Sequence, residues 1–361
     1  MNAKNVTSRQ IAMAFTGSFL GAGFVSGQEL TQFFAAFGSF GLLGMILAVL
    51  MFFMLGSFVM KIAKRTSIIE FDKIIVPKEN PLLRGIFGGV FIFFLFGVVV
   101  VMVAGAGALL NQLFGIPTIL GNALMATFLG VVALWEAKGV LTVFSITVPL
   151  LILVAMITGV LSFFYFEGSD IVPRPFSEEN PLLGNWLFST LAFVSYNMMA
   201  AISILVPISP EVKEEKTIHK GIFQGSIQLI IVFACILFPL IIHESMLRGT
   251  ELPMLTLAEE VHPGLGIVYA ILLFCGMFGS ALSCLFGVTV RIKKVYQFKG
   301  SILTLSLVSL AFLGSIAGFK KLIAILFPIC GYIGFFAMIG ITTHYFSLQR
   351  KMNIDKRVSV K

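Results

Sequence analysis

Two short stretches carry the residue types that could do chemistry. The first is GAGFVSGQEL at 21–30, inside an otherwise apolar run from Ile11 to Phe37. Gly17, Gly21, Gly23 and Gly27 make that run a poor helix, since each glycine costs up to about 1 kcal/mol relative to alanine. Glu29 follows, and it is the only acid well inside an apolar run; the other sixteen fit loops or helix ends. An acid at membrane depth is expensive enough to count as functional by default. Ser26-Gly-Gln-Glu29 has the form of a capping box, a device that belongs at a helix start. The helix is therefore expected to stop near Leu20 and restart near Ser26. Three roles are open to Glu29. It caps the restarted helix with Ser26, it takes up a proton because burial disfavours the charged carboxylate, or it pairs with a cationic substrate group.

The second stretch is FVSYNMMA at 193–200, which groups Ser195, Tyr196 and Asn197 in the centre of an apolar run. Asparagine competes for backbone hydrogen bonds and forms helices poorly. A second break is expected there, and an interhelical hydrogen bond from Asn197 is the plainer alternative. Freed N–H groups at a restarted helix suit an anionic group, and freed carbonyls suit a cation.

Ten apolar segments must position these stretches: roughly 10–37, 40–62, 85–113, 118–137, 139–166, 184–208, 218–243, 263–290, 301–318 and 321–347. Each is close to or beyond the ~20 residues that a helix needs to cross a bilayer. The composition agrees. The 361 residues are 58% hydrophobic and 12% charged, against about 25% charged in a soluble domain, and the mean hydropathy is +1.01. The chain reads as an all-α integral membrane protein forming one transmembrane domain over 1–361. No separate soluble domain fits between the segments, and no cleavable signal peptide is expected.

With the N-terminus in the cytoplasm, 21 of the 25 lysines and arginines fall on the cytoplasmic side, leaving Arg174, Arg248, Lys320 and Lys321 outside. Lysine and arginine set orientation in this way. Both termini are then cytoplasmic, in a multi-pass protein of the cell membrane. The net charge of +8 is a topology and lipid-headgroup signal, not a nucleic-acid footprint. The ENPLL at 79–83 and at 179–183 is the same Asn-Pro punctuation used twice, not a duplicated domain.

Segments 1 and 6 each open a block of five, 10–166 and 184–347. An odd-numbered block, repeated, is inverted in the membrane, and interruptions at matching positions point to a transporter binding site. On GSFLGAGFVSGQE (17–29) and this ten-segment count, the sequence resembles the amino acid–polyamine–organocation superfamily, which has the LeuT-type fold, and within it the YkvI-type bacterial membrane proteins. The resemblance implies a five-plus-five inverted repeat with helices 1 and 6 interrupted, working by alternating access. It implies a substrate carboxylate on the amides around Gly21, Ala22 and Gly23. Phe24 and the segment 6 residues Phe193, Ser195, Tyr196 and Asn197 would complete the pocket. It also implies, in sodium-dependent branches, an ion between helices 1 and 8. Here Gly17 and Leu20 would be carbonyl donors, with Ser280, Ser283 and Cys284 on one helical face. Hydroxyls suit Na+, the thiol suits it poorly, and small-residue helix packing explains the same face. Segment 5 has no lysine between 140 and 163, unlike some proton-coupled relatives.

No Ser/His/Asp set, metal-ligand cluster or phosphate loop is visible, so an enzyme is not expected, and no cofactor beyond Na+ is implied. His243 and His344 fall near helix ends. ELPMLTLAEEVHPG at 251–264 is expected to form a short outer helix capping the entrance. The function this supports is secondary transport of an amino acid or similar small organic solute, coupled to Na+ or H+. A receptor using the same pocket without transport is the alternative, and a channel is a third. Substrate, coupling ion, direction and oligomeric state are not written in the sequence.

Overall fold

A computed structural model describes residues 6–68, 71–76, 81–135, 140–165, 180–295 and 299–359. Lys4, Lys78, Lys138, Arg174 and Lys361 of the charge pattern lie outside these, as do parts of both ENPLL copies. The described residues form helices and connections, with no strand among them. Segment 1 becomes three pieces, α1 (Ser8–Phe19), α2 (Ala22–Val25) and α3 (Gln28–Phe33). There follow α4 (Ser39–Thr66), α5 (Phe71–Ile75), α6 (Pro81–Phe114), α7 (Thr118–Leu134) and α8 (Val140–Tyr165). The second half contains α9 (Trp186–Ile208), α10 (Glu215–Ile242), α11 (Glu244–Leu247), α12 (Pro253–Val261), α13 (Pro263–Val295), α14 (Gly300–Ser315) and α15 (Phe319–Ser359).

Seven of the described helices are long and apolar enough to cross a membrane, and α7 and α14 are shorter apolar helices. The broken segment 1 takes the one remaining apolar stretch. Leu50, Ile271 and Leu313 are each 60–61% exposed, large apolar side chains left uncovered by the protein, as at a surface that meets lipid. Small residues let the helices approach closely. A side chain at Gly331 of α15 would collide with the backbone of Ala192 on α9, and these two helices are extensively packed.

The local signals are those of soluble helices. Thr7 and Gln10 close a reciprocal capping box at the start of α1. Asn185 caps α9 by accepting from the N–H groups of Leu187 and Phe188, both at 3.0 Å. In the first ENPLL copy Pro81 opens α6. In the second, Asn180 turns the chain, accepting from Leu182 N–H at 3.0 Å, and its amide donates to the Ala324 carbonyl of α15 at 2.8 Å; the helix begins at Trp186.

The broken segment sits among α4, α9 and α10. α1 packs on α10 and α9, α4 packs on α9 and α10, and α13 runs along α6. At the end of α4, Arg65 forks onto Glu215 at 2.6 and 2.8 Å and Phe58 stacks on Tyr345 of α15 at 4.0 Å. Glu215 is 37% exposed, and partly exposed pairs contribute about 0–1 kcal/mol. Glu215→Gln is expected to lower thermal stability only slightly, and less at high salt, in a melting curve of the purified protein.

Candidate functional site

Segment 1 breaks twice. α1 ends at Phe19, and Leu20 takes φ −90° and ψ 70°, close to the inverse γ-turn. Gly21 N–H accordingly bonds back two residues to the Phe19 carbonyl at 3.1 Å. α2 is one turn. Gly27 then adopts φ 84°, a left-handed conformation that glycine enters without steric cost, and α3 restarts at Gln28. The helix does stop near Leu20, but it regains a turn over 22–25 where an open stretch was expected.

The capping box at Ser26 and Glu29 does not form. Ser26 Oγ donates to the Gly23 carbonyl at 2.7 Å and accepts a longer bond from Gln28 N–H at 3.3 Å. Gly27, not Ser26, is the residue before α3. The left-handed turn at Gly27 carries Glu29 away from the Ser26 amide. The Glu29 carboxylate instead accepts from the Tyr196 hydroxyl at 2.8 Å and lies against Gly23, where any Cβ would collide with it. Glu29 is 7% exposed. The acid thus joins both halves of the broken segment to α9.

The second break is absent. α9 runs unbroken from Trp186 to Ile208, which corrects the expectation of an interruption at 195–198. The polar side chains are satisfied without it. Asn197 Nδ2 donates to the Phe193 carbonyl at 3.0 Å, one turn back. Ser195 Oγ bonds to the Ala192 carbonyl at 2.9 Å and to the Gly331 carbonyl of α15. Such back-bonding is what mid-helix serine and asparagine do when the helix survives.

The proposed pocket residues therefore divide. Gly21 is exposed, while Ala22, Gly23 and Phe24 are buried. Tyr196 faces Glu29. Ser195 is spent on α15. Phe193 is core, its ring centre 4.8 Å from Phe34, 5.6 Å from Phe33 and 5.7 Å from Phe233. Phe24 joins the same cluster, 4.9 Å from Phe233.

One face of segment 1 is open. Arg9, Met13, Gly17 and Gly21, spaced by four, are all exposed, and nothing lies within 4 Å of a Cβ placed at Gly17 or Gly21. α13 meets this segment through α2, near Ala22 and Gly276. Leu20 is buried, Ser280 and Cys284 are partly buried, and Ser283 is exposed.

The opposite end is shut by a device the sequence located only as a stretch. Along α12, Met254, Leu255, Leu257 and Ala258 are fully buried. Met254 N–H bonds to the Ser26 carbonyl at 3.1 Å, a carbonyl freed by the break. Tyr269 of α13 takes the Val25 carbonyl at 2.6 Å. Tyr269 was missed, although a lone tyrosine in the apolar run 265–274 is a usable signal for a buried hydrogen bond. Next to Gly27, which meets Met254 of α12, Gln28 is fully buried and its side-chain amide has no partner. No group of three or more His, Cys, Asp or Glu that could hold a metal ion occurs among the described residues.

No protein-family model matches the chain. The membrane protein YkvI of Bacillus subtilis (strain 168), itself uncharacterized, is 28% identical over 94% of this chain and 96% of its own length. Among solved structures, the Eremococcus coleocola manganese transporter overlays with a TM-score of 0.61 at 13% identity, covering 94% of this chain and 85% of that one. MhsT in complex with L-phenylalanine overlays at 0.59 and 16% identity, covering 93% and 86%. The fold is LeuT-type, and the chain is similar to the YkvI-type membrane proteins. It is a multi-pass membrane protein whose structural neighbours are secondary transporters. One of those neighbours is a manganese transporter and another holds L-phenylalanine, so the LeuT-type fold by itself names no substrate.

Proposed function

We propose that this protein is a secondary active transporter of an amino acid or related small organic solute, working by alternating access. The observation that carries the reading is the asymmetry about the double break in segment 1. On one side α12 is hydrogen-bonded into the break. On the other the Arg9–Gly21 face stands open. A solute held between them would be exposed to one side at a time. In the orientation set by the basic residues, α12 is extracellular and the exposed face cytoplasmic, the arrangement expected of an inward-facing state. All ten segments, α1–α3 counted as one, would cross the membrane. Packing supports the inverted five-plus-five arrangement, because α1 lies on α10 much as α9 lies on α4. The first turn of α2 supplies the N–H groups of Ala22 and Gly23 for the solute. The absence of a metal cluster among the described residues favours an organic solute over a transition-metal ion.

The test is uptake by proteoliposomes of a radiolabelled panel of the common amino acids and polyamines, with a sodium or a proton gradient imposed. Accumulation above the external concentration is the expected result. Binding of a panel member in a thermal-shift assay without accumulation would overturn transport and leave a receptor.

Sodium coupling makes its own prediction. Swinging α1 toward α13 would bring Gly17 and Leu20 carbonyls to the Ser280 and Ser283 hydroxyls. Losing one contact to a charge is worth about 1.5–3 kcal/mol. Ser283→Ala should then weaken the sodium enhancement of ligand binding about tenfold or more, with little change in melting temperature. Equal ligand binding by the parent protein in sodium and choline buffers would end the sodium reading.

A further inference from the structure

We propose that Glu29 is a proton-binding group whose loading permits α12 to seal the outer side of the break. The proposal rests on the alternating-access reading for its purpose, but the proton site itself does not depend on transport.

The geometry carries it. Glu29 is shielded, 7% exposed, with Tyr196 as its one hydrogen-bond partner among the described residues. It takes part in no ion pair there. A buried carboxylate needs a cation or several donors, and without them the group neutralises. Tyr196 supplies a single neutral donor. The wall beside it is Gly23, which brings bare backbone against the carboxyl and leaves no room for a side chain or a water between them. The neighbouring amide, Gln28, has no partner, so it offers Glu29 none.

The surrounding titratable groups do not change this. On α9 the only one facing Glu29 is Tyr196. On α15 Cys330 lies near Tyr196, and Lys320 sits at the start of the helix beside Gln28, Thr31, Gln32 and Thr250. On α13 Tyr269 is committed to the Val25 carbonyl. On α10 Cys235 faces away, toward Gly159 and Phe163 of α8. On α12, Glu259 accepts from Gln112 at 2.7 Å.

With α12 lifted, Glu29 faces outside water and its carboxylate oxygen binds one proton. The neutral acid is then enclosed as α12 docks on Ser26. On the inner side the proton leaves when Gly23 draws back from the carboxyl and admits water from the Gly21 face. The alternative occupant of that carboxylate, a cationic group on the solute, is an outcome of the test.

A second carboxyl stands at the same gate and must be separated. Burial raises Glu251, just before α12, above its ordinary carboxylate value, while Lys320 pulls it the other way. Infrared difference spectra of the lipid-reconstituted full chain, recorded with no solute across a pH series, read protonated carboxyl groups directly. The expected result is a carboxyl band that disappears in Glu29→Gln, survives in Glu251→Gln and shifts in Tyr196→Phe, which keeps the acid but removes its donor. The gate is read with Gln28→Cys in a background lacking the four native cysteines, labelled by an impermeant maleimide from the outer side. Labelling should rise at least fivefold from acid to alkaline pH, and Glu29→Gln should hold it low throughout. No titrating band, or a band unaffected by Glu29→Gln and Tyr196→Phe, overturns the proton site. A titrating band with pH-independent labelling overturns the link to the gate. A band absent without solute, with labelling that falls only on adding a cationic panel member, assigns the carboxylate to the solute instead.

Discussion

Gly23→Ala is expected to abolish ligand binding and transport with one methyl group. The added Cβ falls on the Glu29 carboxylate. That carboxylate is the far end of a flexible side chain, so the backbone need not move, but the acid must leave its seat and give up Tyr196. Overpacking of this kind costs about 1–3 kcal/mol, and the abandoned bond leaves a buried hydroxyl and an acid unsatisfied, at about 1–3 kcal/mol each. A melting curve of the purified protein should show the loss. Glu29→Ala added to Gly23→Ala should recover most of the stability and none of the transport, because the clash is gone while the acid is still missing. If the two substitutions simply add, Gly23 and Glu29 do not compete for one space.

The second large effect belongs to Gly27. Its φ of 84° is a conformation that ordinary side chains enter at about 1–2 kcal/mol, and a Cβ there would lie 2.9 Å from Met254 Cγ on α12 and 3.3 Å from Leu240. Gly27→Ala meets both penalties. Gly27→Asn meets mainly the second, since asparagine tolerates the left-handed region. Both substitutions should push α12 off the break and raise outer labelling of Gln28→Cys. Adding Met254→Ala to Gly27→Asn should restore closure further than it does for Gly27→Ala. Unchanged labelling in both single substitutions would mean that α12 does not close against Gly27.

The helical membrane architecture was legible because composition and segment length are one-dimensional quantities. So was the interruption of segment 1, since several glycines and an acid in one apolar run leave few other readings. What failed was local competition. SYN at 195–197 looks like a break, yet a serine and an asparagine can bond back to their own helix, and which happens depends on the carbonyls that α15 brings near. Gly331, 136 residues away, decided it. SGQE likewise reads as a cap until Gly27 turns left-handed, which glycine permits but does not announce. The Glu29–Tyr196 bond spans 167 residues. Each partner was singled out, but their meeting is a property of packing and not of spacing.

The turn at Leu20 has a mechanical consequence. A single bond, Gly21 N–H to the Phe19 carbonyl, spans the junction between α1 and α2, where a continuous helix would have several. α1 is therefore a rigid rod on a soft pivot. Its 12 residues make a lever about 18 Å long, so a swing of about 20° carries its Ser8 end through about 6 Å. The arm's first turn is stiffened by the Thr7–Gln10 reciprocal bonds, which resist fraying where leverage is greatest. The resistance to such a swing then lies in the contacts α1 makes with α10 and α9, the Thr16 hydroxyl on the Gly225 carbonyl at 3.1 Å among them, and not in the backbone at the pivot.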